Sequence, residues 1–515
     1  MPASAKVAPH PIDIIPPRMS AATLEDRLRR ATRNFTAPLP EDDVLSLGAD
    51  LARELARAHA ETPPRHPDLE PSAVVMKEDR PRLEGSRPGA GSDSEDLFLL
   101  GTLLSWLATG TRPHVSWRLD GAPTGSLSTL ARRAALAGLA AAQRSERFAS
   151  AAEAAQALDA ARTTTGGAAP WPAFRGDAGR SGARSSPSAA GMDAVWQTRL
   201  GAIVASPVVA HGSVLVPTAD GRLAFLDPLS GRRLHELKVG SAVESTPALG
   251  GALGFVGTDD GELVAVDTVT GEERYRVRLG QMVRSSPLVL DGQGRVVVGV
   301  VEGTATGALV AIDPSKGRLV WTRKLGAVFS SPTLAGERVL VGSDDGSLHA
   351  VDVTRGTVAW SHRLGAKVRA TPAVAGDVAI VGDFAGLLVA VRVADGTRVW
   401  SRELGHALYS SPCIAAGLCV VGCREGHVHG VDLRTGEPRF ETTTRGPVVS
   451  SPVAAGDRFL VGSTDGGLYL LAADGRVLQR SELAASGVQS SAALGLDPIA
   501  FVGSGEGLHA VRLRA

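Results

Sequence analysis

A Ser-Pro or Thr-Pro pair recurs at nearly constant intervals through the second half of the chain. Its prolines are Pro207, Pro247, Pro287, Pro332, Pro372, Pro412 and Pro452, and Ser491-Ala492 stands at the eighth position. The intervals are 40 residues, except for one of 45 residues that contains the insertion VEGTATGA at 301–308. Around each pair, four short apolar runs alternate with glycine-containing turns. A 40-residue unit of four strands is typical of a propeller blade, so the sequence predicts an eight-bladed β-propeller over 192–515.

The two ends of the repeat array indicate how the ring closes. The last unit stops after its third strand, GLHAVRLRA at 507–515. The array begins one strand early, with AVWQTRL at 194–200, which matches the fourth strands of other units. We therefore expect the N-terminal strand to complete the last blade. Such closure removes the free sheet edges that promote aggregation.

The first half of the chain has apolar residues at helical spacing between residues 20 and 162. The predicted helices cover 46–60, 97–110, 129–142 and 150–162. Residues 163–191 are rich in Gly, Ser and Pro without any period, which predicts a linker. We expect residues 1–19 to be a disordered N-terminus. The sequence thus predicts a multidomain chain, with a helical domain followed by an all-β domain.

Composition excludes several classes of function. The 54 basic and 54 acidic residues give zero net charge, which argues against nucleic-acid binding through bulk charge. No apolar run of about 18 residues is present, so we expect no membrane insertion. Prolines interrupt the N-terminal segment where a secretory signal needs an apolar core, and three cysteines do not make a disulfide framework. We expect a cytoplasmic protein.

The repeat resembles the pyrroloquinoline-quinone-like propeller family over about 320 residues, including the opening segment WPAFRGDAGRSG at 171–182. Aromatic residues occupy the family's fourth-strand position; they are Trp196, Trp321, Trp360 and Trp400, with Tyr275 and Phe440 at equivalent places. We expect these side chains to pack between blades. The family contains quinoprotein dehydrogenases and also non-enzymatic scaffold propellers, so the resemblance implies either role.

The residues that the dehydrogenases of this family use are not evident in the sequence. Those enzymes carry a disulfide of adjacent cysteines over the quinone and an acidic base beside a metal ion. Here Cys413, Cys419 and Cys423 are not adjacent. We interpret them as small core residues, and a cross-strand disulfide or a metal contact is the alternative. The Asp-Gly pairs suit hairpin turns better than calcium loops. We therefore predict no catalytic residues, no cofactor and no metal.

Function is expected where the repeats differ from one another. The position three residues before each Ser/Thr-Pro proline varies strongly; its occupants are Val204, Glu244, Arg284, Phe329, Arg369, Tyr409, Val449 and Gln489. Because the innermost strand of each blade starts here, these side chains should form a ring around one mouth of the channel. We predict that six of them bind a partner: Glu244, Arg284, Phe329, Arg369, Tyr409 and Gln489. Solvated residues without a ligand are the alternative.

The first half resembles the large lobe of Ser/Thr protein kinases. The match rests on HPDLEP at 66–71, DLFLLG at 96–101 and ERFASA at 146–151. The matching positions include His66, Asp68, Asp96 and Arg147. The Gly-rich loop, the VAIK-type Lys and the Asp-Phe-Gly motif are missing, and Ala73 replaces the metal-holding Asn. We predict a degenerate, pseudokinase-like lobe that does not bind ATP; a plain helical domain is the alternative.

Together these patterns predict a non-catalytic scaffold or adaptor that binds other proteins within a larger bacterial assembly or signalling system. The resemblance to bacterial kinases with propeller sensor domains supports this combination. Two alternatives remain open at this point. One is a quinone-dependent oxidoreductase, and the other is an atypical Ser/Thr kinase with Asp68 as its base.

Overall fold

The structure is a computed structural model that describes residues 171–514, apart from 186–188, 211–212, 229, 252, 269–270 and 496–497. Of the preceding residues it describes 22–23, 51–53, 55, 74–77, 80–83 and 100. The chain divides into two units, Met1–Gly166 and Gly167–Ala515. Among the residues described, no helix combines the length and apolar character needed to cross a bilayer.

The second unit is an eight-bladed β-propeller, which confirms the prediction from the repeat. Each blade is an antiparallel sheet of four strands, which in blades 1 to 7 follow chain order from the innermost strand to the outermost. A short strand, Ala183–Arg184, pairs in parallel with the innermost strand of blade 7. The strands of blades 1 to 4 are Val208–Ala210, Ser213–Pro217, Arg222–Leu226 and Arg233–Lys238; Ala248–Gly250, Leu253–Gly257, Glu262–Asp267 and Glu273–Arg278; Leu288–Leu290, Arg295–Val301, Thr306–Asp313 and Arg318–Gly326; and Thr333–Ala335, Arg338–Gly342, Ser347–Asp352 and Val358–Arg363. A short 3₁₀ helix, Asp291–Gln293, connects the first two strands of blade 3.

Blades 5 to 8 follow the same plan. Their strands are Ala373–Ala375, Val378–Gly382, Leu387–Arg392 and Arg398–Glu403; Cys413–Ala415, Leu418–Gly422, His427–Asp432 and Pro438–Thr443; Val453–Ala455, Arg458–Gly462, Gly467–Leu471 and Val477–Glu482; and Ala493–Leu494, Ile499–Gly503, Gly507–Arg514 and Gly191–Arg199. The second and third strands of each blade are buried on both faces because the neighbouring blades cover them, which explains their continuous apolar runs. The fourth strands alternate between half-buried and exposed residues.

The ring closes as the sequence predicts. Strand Gly191–Arg199 pairs antiparallel with Gly507–Arg514, and Trp196 stands opposite Ala510. The eighth blade therefore combines three C-terminal strands with one strand from the N-terminal side. The extra strand supplies the hydrogen bonds that the outer edge of the third strand would otherwise lack.

The fourth-strand aromatic residues connect each blade to the next. The indole Nε1 of Trp321 donates to the carbonyl oxygen of Val353 at 2.8 Å, across the boundary between blades 3 and 4. Trp196, Trp360 and Trp400 make the same bond to the next blade, at 3.0 to 3.2 Å. The ring of Trp321 covers Gly356, whose φ of +66° and lack of a side chain let the turn approach the indole. The aromatic residues thus pack between blades.

Within the first unit, the structure describes only short segments. Strands Ala22–Thr23, Val74–Lys77 and Arg80–Leu83 form a three-stranded sheet, and residues 51–53, 55 and 100 are helical. The helical residues fall within the predicted helices 46–60 and 97–110. His66, Asp68, Asp96 and Arg147 lie outside the described residues. The kinase-like lobe therefore stays a prediction.

Candidate functional site

The eight variable residues that precede the Ser/Thr-Pro pairs meet around one cavity of about 460 Å³ on the propeller axis. The cavity also takes in Phe174, Arg424 and the Ser/Thr residues that precede each proline. Seven of these Ser/Thr side chains are structural, since their hydroxyls accept a hydrogen bond from the backbone of the blade before, as the Thr246 hydroxyl does from Ser206 N–H at 2.9 Å. Most of the chemical variety in the wall therefore comes from the variable position, and Phe174 and Arg424 add to it.

A second variable position lies behind the first, in the hairpin between the second and third strands of each blade. At three of the variable positions, the side chain contacts a hairpin residue of the preceding blade, 25 residues earlier in the chain. Arg369 and Asp344 form one such pair, and Tyr409 and Phe384 form another, with ring centroids 4.1 Å apart. These pairs were not predicted, because only one position per repeat was compared. Alignment of the hairpin turns would have shown that Asp344, Phe384 and Arg424 also break the repeat.

On one side of the cavity, acidic groups outnumber basic ones. Arg284 binds Asp259 through two hydrogen bonds of 2.7 and 3.0 Å, and its Nη1 lies 2.9 Å from a carboxylate oxygen of Glu244. Burial raises the pKa of Glu244 above its ordinary value, and the charge of Arg284 opposes this effect. The guanidinium of Arg284 is therefore already occupied by two carboxylates of its own chain.

The opposite side is aromatic and cationic. The guanidinium of Arg369 lies over the ring of Phe329, 3.9 Å from its centroid, and binds Asp344 through two hydrogen bonds. Asp344 is only 2% exposed and also accepts an ion pair from Lys367. These bonds to the carboxylate raise the pKa of Arg369, so the group is charged at neutral pH. We call Phe329, Arg369, Tyr409 and Arg424, which line the cavity, together with Phe384, on which Tyr409 packs, the aromatic–cationic wall.

Arg424 differs from the other two arginines of the cavity. Its guanidinium lies 5.6 Å from the ring centroid of Tyr409 and donates to the Tyr409 hydroxyl at 3.4 Å. Within the part of the chain that the structure describes, no carboxylate lies within ion-pair distance of Arg424, and the residue is exposed. Its charge is therefore free for a ligand.

The opening segment 171–184 differs from the prediction of a linker over 163–191. Its backbone crosses the end of the channel and pairs with the innermost strands of six blades, at 2.8 to 3.0 Å. The donors are the N–H groups of Val209, Leu249, Leu334, Val374, Ile414 and Ala454, and the acceptors are the carbonyl oxygens of Trp171, Pro172, Ala178, Gly179, Ser181 and Gly182. The segment thus accepts hydrogen bonds from backbone N–H groups of the innermost strands that would otherwise face the channel without a partner.

Two arginines of this segment, Arg175 and Arg180, are 1% and 0% exposed. Arg180 donates to the carbonyl oxygens of Phe174, Pro287 and Pro332 at 2.5, 2.7 and 3.2 Å. The corresponding bonds of Arg175 reach Ser411 and the prolines of blades 6 and 7. Burial lowers the pKa of Arg180 to about 10. Side chains that reach blades 3, 4, 6 and 7 fill this end of the channel, so the cavity is open at one end only.

The cavity does not fit the quinone chemistry that the resemblance also implies. Glu244 lines the cavity, Asp259 and Asp344 lie behind it, and all three are held in the arginine pairs above, so none of these described carboxylates is placed as a free base. Across the described residues, no group of three or more His, Cys, Asp or Glu is arranged to hold a metal ion. The three cysteines are free and buried in blade 6, as the core interpretation predicts. Burial raises the pKa of Cys413 to about 11, so its thiol is protonated at neutral pH.

Comparison with known proteins places this fold in context. The sequence matches the family PQQ_2, described as outer membrane protein assembly factor BamB, over residues 236–300, 292–412 and 408–515. No curated protein sequence matches the chain. A solved structure of BamB from Moraxella catarrhalis is 19% identical, with a TM-score of 0.54 over 62% of this chain and 99% of that one.

Two other solved structures share the fold. A europium-containing methanol dehydrogenase is 14% identical, with a TM-score of 0.58 over 65% of this chain and 89% of that one. The computationally designed Ika8 protein is 18% identical, with a TM-score of 0.54 over 63% of this chain and 100% of that one. An assembly factor, an enzyme and a designed protein therefore have the same architecture. Function has to be argued from the residues that line the cavity.

Proposed function

The chain belongs to the family of the outer membrane protein assembly factor BamB, and we propose that it is a non-catalytic scaffold or adaptor that binds protein partners through its propeller cavity. The main support for this proposal is the aromatic–cationic wall. Tyr409 is 37% exposed, although it lies beside a free cation and on a second aromatic ring. Arginine and aromatic side chains grouped in a concave site are the residues that contribute most to protein interfaces. A surface of this kind suits recognition more than turnover.

The N-terminal unit is proposed to add a second docking surface. Its resemblance to a kinase large lobe without the nucleotide-binding motifs is the basis, so ATP is not expected to bind. We further propose that the protein works in the cytoplasm of a bacterium, within a larger assembly or signalling system. Fractionation of the source organism tests the location, and recovery with the periplasmic or outer-membrane fraction would contradict it.

The test of the scaffold role is recovery of partners from an extract of the source organism. The bait is the full-length protein, and the test variant is Tyr409→Ala. The control is Val399→Ala, which removes a side chain of similar exposure (39%) from the outer strand of blade 5. We expect the same partners with the parent protein and the control, and their loss with Tyr409→Ala. Equal recovery with all three baits would contradict the use of the cavity.

Substitution of Arg284 and Arg369 is a weaker test of the same idea. Both arginines hold carboxylates of their own chain, and Asp344 is almost fully buried. Their removal would leave buried negative charges without partners and reduce stability along with binding. Tyr409 and Arg424 avoid this difficulty, because neither neutralises a buried acid of the described chain.

The two enzymatic alternatives have direct tests. A quinone-dependent oxidoreductase would show the absorbance of the bound quinone after reconstitution and would oxidise an alcohol or a sugar. An atypical kinase would melt at a higher temperature with ATP and Mg²⁺ and would form a phosphoprotein. Either result would replace the scaffold role, and we expect neither.

A further inference from the structure

The cavity has only one open end. Phe174 lines it, and the segment 171–184 fills the channel behind it with the buried side chains of Arg175 and Arg180. A polypeptide cannot pass through such a site, so a chain that enters the cavity must terminate inside it. The volume of about 460 Å³ lies within the range of cavities that enclose small ligands. The end of a chain fits this shape better than the middle of one.

The charges of the wall indicate which chain end would enter. On the side of blades 4 to 6, the charged residues that line the cavity are Arg369 and Arg424. Asp344, which lies behind the lining, pairs with Arg369, whereas Arg424 contacts only the ring and hydroxyl of Tyr409. Arg424 lacks a carboxylate partner in the described part of the chain, and an arginine fork matches a carboxylate through two parallel hydrogen bonds. A negatively charged chain end is favoured over an amino terminus.

The side chain next to that carboxylate would meet aromatic rings. Phe384 and Tyr409 lie in contact, and Arg369 lies over the face of Phe329. Rings held in this way present flat apolar surface at little further cost in conformational entropy. An aromatic or large apolar residue at the end of the ligand would bury against them.

From this geometry we infer that the cavity binds the free C-terminal carboxylate of a partner polypeptide that ends in an aromatic or large apolar residue. Arg424 receives the carboxylate, and the ring of Tyr409, which packs on Phe384, receives the terminal side chain. The inference rests on the proposed scaffold function and specifies how the partner is recognised. The acidic side of the cavity, with Glu244 and Asp259, would repel carboxylates and so directs the chain end toward blades 4 to 6.

The experiment compares two peptide pools on the immobilised full-length protein. Both are hexapeptides randomised at their last four positions; one ends in a free carboxylate and the other in a carboxamide. Bound peptides are eluted and quantified by mass spectrometry. We expect at least tenfold greater retention of the free-acid pool, with aromatic and large apolar residues enriched at the last position. Equal retention of the two pools, or no retention of either, would overturn the inference.

Variants separate this contact from general charge attraction. Arg424→Gln should lower retention of the free-acid pool at least tenfold. Arg434→Gln removes the same charge from an exposed turn of blade 6 and should retain the pool as the parent protein does. N-acetylphenylalanine is the small-molecule arm. If it competes as strongly as the selected peptides, the site belongs to small carboxylic acids and the inference fails.

The outcome can be distinguished from failure of the scaffold role. If partners are recovered from the extract through Tyr409 while neither pool is retained, the scaffold role stands and C-terminal recognition is refuted. If peptides bind but the reconstituted protein oxidises an alcohol, the carboxylate site stands and the non-catalytic role falls.

Discussion

Arg180 offers the sharpest test of how the propeller channel is closed. Arg180→Met keeps much of the side-chain volume and removes three hydrogen bonds to the carbonyl oxygens of Phe174, Pro287 and Pro332. Hydrogen bonds to a charged group contribute about 1.5–3 kcal/mol each, which gives a gross loss of about 5–9 kcal/mol. Burial and the like charge of Arg175, partly offset by the opposite charge of Asp177, lower the pKa of Arg180 to about 10, which corresponds to about 3 kcal/mol against its charged form that Met does not incur. We expect a net loss of about 2–6 kcal/mol.

The measurement is urea unfolding of the full-length protein, followed by tryptophan fluorescence and circular dichroism. Arg180→Lys retains the charge without the planar fork, so it should fall between the parent protein and Arg180→Met. Arg318→Met is the matched control, since Arg318 is exposed on the outer strand of blade 3. If Arg180→Met unfolds at the same urea concentration as the control, the hydrogen bonds of Arg180 do not stabilise the ring.

Three further predictions concern the blades and the cavity wall. Trp400→Ala removes a ring that is 8% exposed and its hydrogen bond to the carbonyl oxygen of Leu433. It should lower the free energy of unfolding in urea by about 3–5 kcal/mol. A loss below about 1 kcal/mol would argue against the packing role of this ring. Arg369→Met should lower the free energy of unfolding by about 1–3 kcal/mol, because the side chain of Asp344 is 2% exposed and loses this partner. Arg369→Met combined with Asp344→Asn should recover part of the loss in the same assay. Burial lowers the pKa of His429 below its usual 6.5, so the unfolded chain binds this proton more readily and stability falls as the pH drops below about 6.5. His429→Gln should flatten the fall in melting temperature between about pH 7 and 5, and an unchanged slope would exclude His429 as its source.

The propeller could be predicted because the same pattern of strands and turns occurs in eight consecutive repeats. Seven of the eight repeats place a proline of a Ser/Thr-Pro pair directly before the innermost strand, the eighth has Ala492 there, and the 40-residue interval fixes the blade. The surplus strand 194–200 and the missing last strand also implied closure. Once the blades were in register, a fixed offset from each proline was enough to place Glu244, Arg369 and Tyr409 around one cavity.

The segment 171–184 could not be placed from its sequence in the same way. It occurs once, so no other copy shows which of its positions are constant. Its Gly, Ser and Pro content is typical of a linker, and an arginine is rarely buried without a carboxylate. Arg180 is buried because the ring presents carbonyl oxygens at the channel end, which is a property of the assembled blades. The partner of Arg180 is therefore backbone from distant repeats, which no local pattern reveals.

The contrast between the two sides of the cavity follows from where the repeat is broken. Eight identical blades would give eight identical wall residues and no preferred position for a ligand. In blades 7, 8 and 1 the wall residues are uncharged, namely Val449, Gln489 and Val204. The charged and aromatic residues belong to blades 2 to 6, with the acids ahead of the free cation in chain order. We therefore expect a ligand to be held to one side of the axis and in one orientation. Under the proposal, the closed end behind Phe174 limits how far the ligand enters, and the charges of the wall determine which of its ends enters first.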